Sequence, residues 1–221
     1  MTKKNQKIIH LSIVFAILII SFFAWNTFIV YPIKLFVVLL HEMSHGLVAV
    51  LTGGRIVTIE LTEYLGGMTT TEGGNTLLIA SAGYLGSVAI GALLFTASFD
   101  KKLSTWVNTS VAILLIIFAA NFLVGTLSQI TALVAAIVLI ISPRYFPTNV
   151  NQIVIQSLGL VSVFYVLIDM KEDLLSKNNY QTDAKLLESL TPISSTIIAL
   201  VWLVISIVVI YNLIRKLVLS K

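Results

Sequence analysis

The chain has 221 residues, only 11% of them charged, and a mean hydropathy of +1.00. A sequence this apolar excludes a soluble globular domain, in which roughly a quarter of the residues are charged. The net charge of +4 comes from basic residues that stand singly or in pairs at the ends of apolar runs. This placement is typical of headgroup anchors, so we expect the lipid bilayer, and no nucleic acid, as a partner. The absence of cysteine excludes disulfides, thiolate metal sites and cysteine nucleophiles.

Several apolar runs approach or exceed the roughly 20 residues that cross a bilayer as a helix. Strands are disfavoured because the runs lack the alternating pattern of a membrane barrel. The predicted spans are 9–30, 33–52, 77–98, 104–124, 127–142, 152–170 and 194–214. Six spans are the alternative. The division at Gly125 and Thr126 is the weakest one, because the stretch 104–142 contains no charge. This stretch could hold two short spans, or one span and a re-entrant piece.

Two polar segments separate these runs. In 53–75, paired glycines surround β-branched residues that alternate with polar ones, which predicts a small hairpin or edge strands. Segment 171–193 is predicted to be a surface loop with a short helix around Ala184–Ser189. The fold class is therefore an all-α polytopic membrane protein, with six to seven transmembrane helices and a small β-hairpin between the second and third. We expect one integral membrane domain, 1–221, multi-pass in the cell membrane.

The sequence His41-Glu42-Met43-Ser44-His45 fits the pattern H-E-x-x-H inside a run that should be helical. On a helix, residues four apart project from one face, so both imidazoles can bind one zinc ion. The carboxylate of Glu42 can then take a proton from a water molecule that the metal activates. Peptide hydrolysis is the reaction that this arrangement favours.

The alternative for these three residues is a structural polar cluster or a degenerate site. Ionisable side chains inside a membrane span are costly unless the bundle or a metal compensates them, and they are functional candidates by default. The spacing and the membrane setting together favour a zinc site, with His41 and His45 as ligands and Glu42 as the general base.

A catalytic zinc normally takes three protein ligands, and the third is expected to be acidic because the one remaining histidine, His10, lies at the headgroup end of the first span. Asp169 closes the apolar run from Ile153 to Ile168 and is the carboxylate, besides Glu42, expected to reach membrane depth. We predict Asp169 as the third ligand. Its alternative role is that of a helix-end residue in the headgroup zone, with Asp173 or Asp183 then supplying the ligand.

Other polar or small residues in the spans have weaker signals. Asn121 could hydrogen-bond the substrate backbone, although its position in a span favours interhelical packing. Gly83 and Gly86 are expected to permit close helix approach, with substrate contact as the alternative. The 53–75 hairpin could bind an extended substrate segment by strand addition, or it could only line the cavity.

The sequence resembles the site-2 protease family of intramembrane zinc metallopeptidases, in its short branch without a PDZ domain. The resemblance covers most of the chain. It is carried by four segments, in order: His41-Glu42-Met43-Ser44-His45-Gly46 running into Leu51-Thr52-Gly53-Gly54-Arg55; Gly66-Gly67-Met68-Thr69; Ala80-Ser81-Ala82-Gly83-Tyr84-Leu85-Gly86; and Tyr165-Val166-Leu167-Ile168-Asp169-Met170 leading to Thr182-Asp183-Ala184.

The resemblance implies cleavage of transmembrane or membrane-adjacent segments of other proteins, with the family's acidic third ligand falling on Asp169. The chain departs from the family at this ligand, because the Leu-Asp-Gly tripeptide that supplies it elsewhere is absent. We predict a zinc endopeptidase acting on membrane-protein substrates. The alternative is a metal-binding transporter or a non-catalytic membrane scaffold that retains the fold; a transporter should carry more ionisable residues along its spans.

Overall fold

Eight α-helices and three short β-strands make up the parts of the chain that the computed structural model describes, residues 3–25, 27–62, 66–175 and 182–219. In chain order these elements are α1 (Lys3–Phe23), α2 (Tyr31–Leu51), β1 (Arg55–Leu61), β2 (Gly67–Glu72), α3 (Thr76–Ala97), α4 (Lys101–Asn121), β3 (Leu123–Val124), α5 (Thr126–Tyr145), α6 (Thr148–Leu175), α7 (Asp183–Leu190) and α8 (Ser195–Leu219).

Within the described ranges, seven helices are long and apolar enough to cross a membrane, namely α1 to α6 and α8. The higher of the two predicted span counts is therefore confirmed. The uncharged stretch 104–142 divides at Gly125, whose φ of +79° lies in the left-handed region that favours glycine. Gly125 lies between β3 and α5 and separates α4 from α5, so the predicted division of this stretch into two spans is confirmed.

Several predicted boundaries were wrong by a few residues, and the clearest case is the end of the first span. The apolar run reaches Val30, but α1 ends at Phe23 and turns follow. The amide and the hydroxyl of Thr27 both donate to the carbonyl of Ala24, which stabilises a turn in place of a further helical turn. In the other direction, α6 continues to Leu175, past the predicted 170. Hydropathy locates the bilayer crossing and does not fix where helical hydrogen bonding stops.

Helix α2 lies at the centre of the bundle. In its most apolar window 78% of the residues are buried, against 17% in α1 and 28% in α8. It contacts α3, α5, α6 and both strands of the hairpin. The outer helices can therefore present apolar faces to lipid, while α2 must place its polar residues inside the protein.

The strands form a small sheet in the order β2-β1-β3. The predicted hairpin is confirmed, with β1 and β2 antiparallel, and a third strand that was not predicted pairs parallel to β1. The sheet packs closely on α2 at Gly46, where a Cβ would lie 2.9 Å from Cδ1 of Ile56. The amide of Leu61 donates to Oγ of Ser128 at 2.8 Å and ties β1 to α5. Strand β2 is consequently held beside the motif on α2.

Helices α3 and α6 cross at two facing glycines. A Cβ at Gly91 would lie 2.6 Å from the carbonyl oxygen of Gly159, and a Cβ at Gly159 would lie 2.4 Å from the carbonyl oxygen of Gly91. Neither position has room for a side chain, which allows the two backbones to touch as small residues do in membrane bundles. This crossing sets the separation of the two helices that flank the motif on α2.

Replacing Gly91 by valine should separate α3 from α6, because the new side chain meets backbone that cannot move aside. Overpacking of this kind costs about 1–3 kcal/mol, which lowers the thermal unfolding temperature of the purified protein. Ala89→Val is the control, since it adds two methyl groups on an exposed position of the same helix. Equal unfolding temperatures for the two variants would contradict the close crossing.

Candidate metal centre and active site

His41 and His45 meet on one face of α2, as the helical spacing predicts. Both residues are 7% exposed, and their Nε2 atoms are 3.1 Å apart. The Nδ1 of His45 donates to the carbonyl oxygen of Ile79 on α3 at 2.6 Å. A ring that carries its hydrogen on Nδ1 has a lone pair on Nε2, so this hydrogen bond orients His45 for metal binding.

The carboxylate that joins the two imidazoles belongs to Asp183, the first residue of α7. Its Oδ2 lies 3.1 Å from Nε2 of His41 and 3.2 Å from Nε2 of His45. The side chain of Thr182 accepts a hydrogen bond from the amide of Lys185 and begins the helix at this point. Helix α7 lies outside the seven spans, but it packs against α3 and α8 and therefore holds Asp183 over the motif.

The three atoms are spaced as ligands of a tetrahedral zinc ion would be. Zinc bonds to histidine nitrogen and carboxylate oxygen are about 2.0–2.1 Å long, which puts neighbouring ligand atoms about 3.3 Å apart. The observed separations of 3.1, 3.1 and 3.2 Å are close to that value. Among the described His, Asp and Glu residues, these three form the group able to hold a metal ion. Two imidazoles and a carboxylate are also a ligand set that zinc prefers, so the residues fit the metal.

Asp183 supplies a negative charge to this centre. Burial raises the pKa of its carboxyl, but hydrogen bonds with His41 and His45 lower it by more, and the pKa lies well below its usual range. The side chain is therefore ionised at neutral pH. An ionised carboxylate is the form that binds zinc.

Gly83 on α3 makes room for the two imidazoles. A Cβ at this position would lie 2.3 Å from Nε2 of His41 and 2.4 Å from Nε2 of His45. The packing role expected for Gly83 is thus a specific one, since the helix backbone closes one side of the metal centre. Gly86, one turn further, gives similar room to Ser44, whose Oγ would lie 2.3 Å from a Cβ there.

Glu42 lies beside the histidines, is 6% exposed, and faces strand β2. Its Oε2 accepts a hydrogen bond of 2.6 Å from Oγ1 of Thr69. No hydrogen bond from the described residues reaches the other oxygen, Oε1, which leaves that atom able to accept a proton. A carboxylate with one fixed and one available oxygen next to a metal centre suits a general base.

The motif opens into a cavity of about 680 Å³ between α2, α3, α6, α7 and the hairpin. Its walls combine the metal-binding group, the two tyrosines described below, and threonines and glycines of β2 and the turn that follows it. A cavity of this size and polarity can hold water and a short peptide segment. The candidate metal-binding group is therefore accessible to water and to a peptide from this cavity.

The prediction that Asp169 joins the two histidines does not agree with the arrangement seen. Asp169 lines the cavity but lies outside the metal-binding group. Its Oδ2 accepts a hydrogen bond of 2.5 Å from the hydroxyl of Tyr84, and Tyr165 hydrogen-bonds the same carboxylate. Two phenol groups thus hold the side chain away from the histidines. Asp183, one of the two alternatives, takes the place expected for Asp169, and the side chain of Asp173 lies outside the described residues.

The two remaining polar residues singled out in the sequence are distant from this chemistry. Asn121 is exposed, and its amide donates to the carbonyl oxygen of Ile117 in its own helix. It does not line the cavity, so nothing in its surroundings indicates substrate contact. His10 hydrogen-bonds the buried side chain of Gln156 at 2.8 Å and joins α1 to α6.

Tyr84, Tyr165 and Thr69 contact the site, and sequence reasoning assigned none of them a role. The ring of Tyr84 packs edge-on against His41 at 4.7 Å between centroids, and that of Tyr165 does so at 6.0 Å. The one signal was indirect, because all three residues lie in the segments that carry the family resemblance. Aromatic residues are common in apolar spans, and their type alone does not separate a site from a core.

Comparison with known proteins gives a match to one family over residues 14–213, described as Peptidase M50B-like. The chain belongs to the Peptidase M50B-like family. This is a site-2 protease family, so the resemblance noted in the sequence is confirmed. No curated protein and no solved structure matches the chain significantly.

Membership in the M50B-like family agrees with the centre seen on α2. The matched region includes the motif, Asp183 and every wall of the cavity. At the level of the family, the chain is a multi-pass membrane metallopeptidase related to site-2 proteases, and M50 peptidases depend on zinc. The fit of His41, His45 and Asp183 to zinc geometry was reached from distances alone and points to the same metal.

The Gly83→Ala variant of this M50B-like chain should lose metal. A methyl group at that position would overlap both Nε2 atoms and force the rings apart by more than a metal site tolerates. We expect the zinc content of the purified protein, measured by atomic spectroscopy, to fall while the helical circular dichroism is kept. Ser81→Ala, on the same helix and outside the cavity, should bind zinc as the wild type does. Full zinc occupancy in Gly83→Ala would contradict the position of α3.

Proposed function

We propose that the chain is an intramembrane zinc endopeptidase that hydrolyses peptide bonds in or next to transmembrane segments of other membrane proteins. The observation that carries the proposal is the meeting of three metal-ligating atoms, 3.1–3.2 Å apart, beside the buried carboxylate of Glu42 in one polar cavity. A metal centre with a free base and room for a peptide is what hydrolysis requires.

His41, His45 and Asp183 would hold the zinc through Nε2, Nε2 and Oδ2. When bound, zinc supplies Lewis-acid activation of water and of the scissile carbonyl group. Three protein ligands leave a fourth position for the reaction. Asp183 contributes the negative charge of the set, and the hydrogen bond from His45 to Ile79 keeps that imidazole in the tautomer that binds.

Glu42 is the general base of the proposed reaction. Its Oε1 accepts a proton from the attacking water and later returns that proton to the amine of the leaving peptide. Burial strengthens this role, because a carboxylate that is 6% exposed has few competing solvent partners. The fixed Oε2 keeps the carboxylate in one orientation through both transfers.

The proposed substrate is a membrane-protein segment that loses its helical structure at the cleavage point. A peptide bond within a helix is covered by the helix's own hydrogen bonds and side chains, so the segment must unwind to reach the metal. The cavity at 680 Å³ can accept a few extended residues and can satisfy their exposed amides and carbonyls with the threonines that line it. We propose regulated intramembrane proteolysis in the cell membrane as the setting.

Asp183→Asn should lower zinc affinity, and Asp169→Asn should leave it unchanged. Both changes remove one charge and keep the shape of the side chain, so the pair is matched. Loss of a direct ligand should exceed the roughly 10- to 100-fold effect typical of residues that only hydrogen-bond a ligand. Zinc affinity is measured by competition with a chromogenic chelator. Loss of zinc in Asp169→Asn, with retention in Asp183→Asn, would return the third position to Asp169.

Glu42→Gln should keep zinc and lose cleavage. The amide cannot accept the proton of water, and removal of a general base lowers the rate by about 10²–10⁴-fold. The assay uses purified protein in liposomes with single-span reporter proteins whose membrane segments are weakened by a central glycine or proline pair. Zinc content serves as the control for folding. Cleavage at the wild-type rate would exclude the peptidase mechanism and favour a scaffold or a metal transporter.

A further inference from the structure

Strand β2 crosses directly beside the side chain of Glu42. The hydroxyl Oγ1 of Thr69 lies 2.6 Å from Oε2 of Glu42 and 3.0 Å from the backbone carbonyl oxygen of the same residue. Two positions earlier on the same face of the strand, a Cβ at Gly67 would lie 2.4 Å from Cγ and 2.5 Å from Oε1 of Glu42. The carboxylate is therefore in contact with the strand at two points, a hydroxyl and a bare backbone.

We propose that Thr69 is a positioning residue for the general base, an inference that rests on the proposed role of Glu42. A glutamate side chain has three rotatable bonds, and fixing it in one orientation costs rotamer entropy. A hydrogen bond to an ionised carboxylate is roughly twice as strong as a neutral one and can offset much of that cost. Thr69 thereby keeps Oε2 bound, while Oε1, beside the bare backbone of Gly67, receives no hydrogen bond from the described residues.

The geometry also gives Thr69 a choice of acceptor. A threonine hydroxyl has one hydrogen to donate, and both the carboxylate and the backbone carbonyl of Glu42 are within reach. The shorter, charge-assisted contact to Oε2 is favoured. If the hydroxyl turned to the carbonyl, the carboxylate would lose this partner and its fixed orientation. The position of the base thus depends on one hydrogen bond from a strand of the hairpin.

The neighbouring threonines on β2 allow the positioning role of Thr69 to be distinguished from the general preference of threonine for strands. Residues 69–71 are all threonine, and β-branched residues favour strands in general. Because side chains alternate along a strand, Thr70 points away from Thr69 and is exposed. Thr70 therefore offers a matched control, with the same change in the same strand and no contact with Glu42.

The test compares Thr69→Val, Thr69→Ser and Thr70→Val with the wild type, using the best-cleaved single-span reporter in liposomes. Valine keeps the shape of threonine and removes the hydroxyl, whereas serine restores the hydroxyl. We expect Thr69→Val to lower kcat by about 10- to 100-fold with KM and zinc content unchanged, because a misplaced catalytic group affects the chemical step. Thr69→Ser should regain most of the loss, and Thr70→Val should behave as the wild type does.

A second measurement detects the contact without turnover. In a double-mutant cycle of Thr69→Val and Glu42→Met, the thermal unfolding shifts of the zinc-loaded protein should be non-additive, since either change removes the same hydrogen bond. Non-additive shifts with a wild type that cleaves no reporter would contradict the peptidase function and leave the contact standing. Four results would each overturn the positioning role, provided that the wild type is active. Thr69→Val could be as active as the wild type, or Thr69→Val and Thr69→Ser could lose the same activity. Thr69→Val could raise KM alone, or the unfolding shifts could be additive.

Discussion

The meeting of His41, His45 and Asp183 is the interaction on which the rest of the structure depends. Each of these side chains is costly to bury in a membrane protein unless a partner compensates it. Their three ligand atoms lie 3.1–3.2 Å apart, which would be unfavourable for lone pairs with neither a proton nor a cation among them. A divalent cation satisfies all three atoms at once, and the central position of α2 keeps lipid away from the group.

The surrounding helices hold the three side chains of this group close together. Gly83 brings the backbone of α3 against both imidazoles, and the carbonyl of Ile79 on the same helix fixes one of them. The crossing of α3 and α6 at Gly91 and Gly159 then holds the wall that carries Tyr165 and Asp169 at a short distance. These glycines are as important here as the polar residues, because each one lets a helix backbone approach where a methyl group would not fit.

Most of the fold could be predicted from the sequence because membrane helices are specified by length and apolarity alone. The motif on α2 was equally accessible, since its spacing fixes which side chains share a face. Strand β3 could not be predicted, because two residues carry no periodic signal and its pairing with Ile59 depends on how α4 and α5 meet. The division at Gly125 was predicted, although no charge in 104–142 marks it, and the structure adds its physical cause, a left-handed backbone conformation at that glycine.

The candidate third ligand shows why a carboxylate's place in an apolar run does not suffice to predict its contacts. Asp169 was favoured because it ends an apolar run, and its side chain lines the cavity. The two carboxylates differ in partners that no spacing reveals, namely the hydroxyl of Tyr84 for Asp169 and the docking of α7 on α3 and α8 for Asp183.

Asp183 lies on a short helix outside the spans, so the candidate metal centre joins a membrane-spanning helix to a connecting segment. The two histidines are held by the most buried helix of the bundle, and the charge that completes their set comes from the connection between α6 and α8. Zinc bound as proposed would therefore stabilise the docking of α7 as well as the fold of α2, because all three side chains can reach one ion only when that helix is in place.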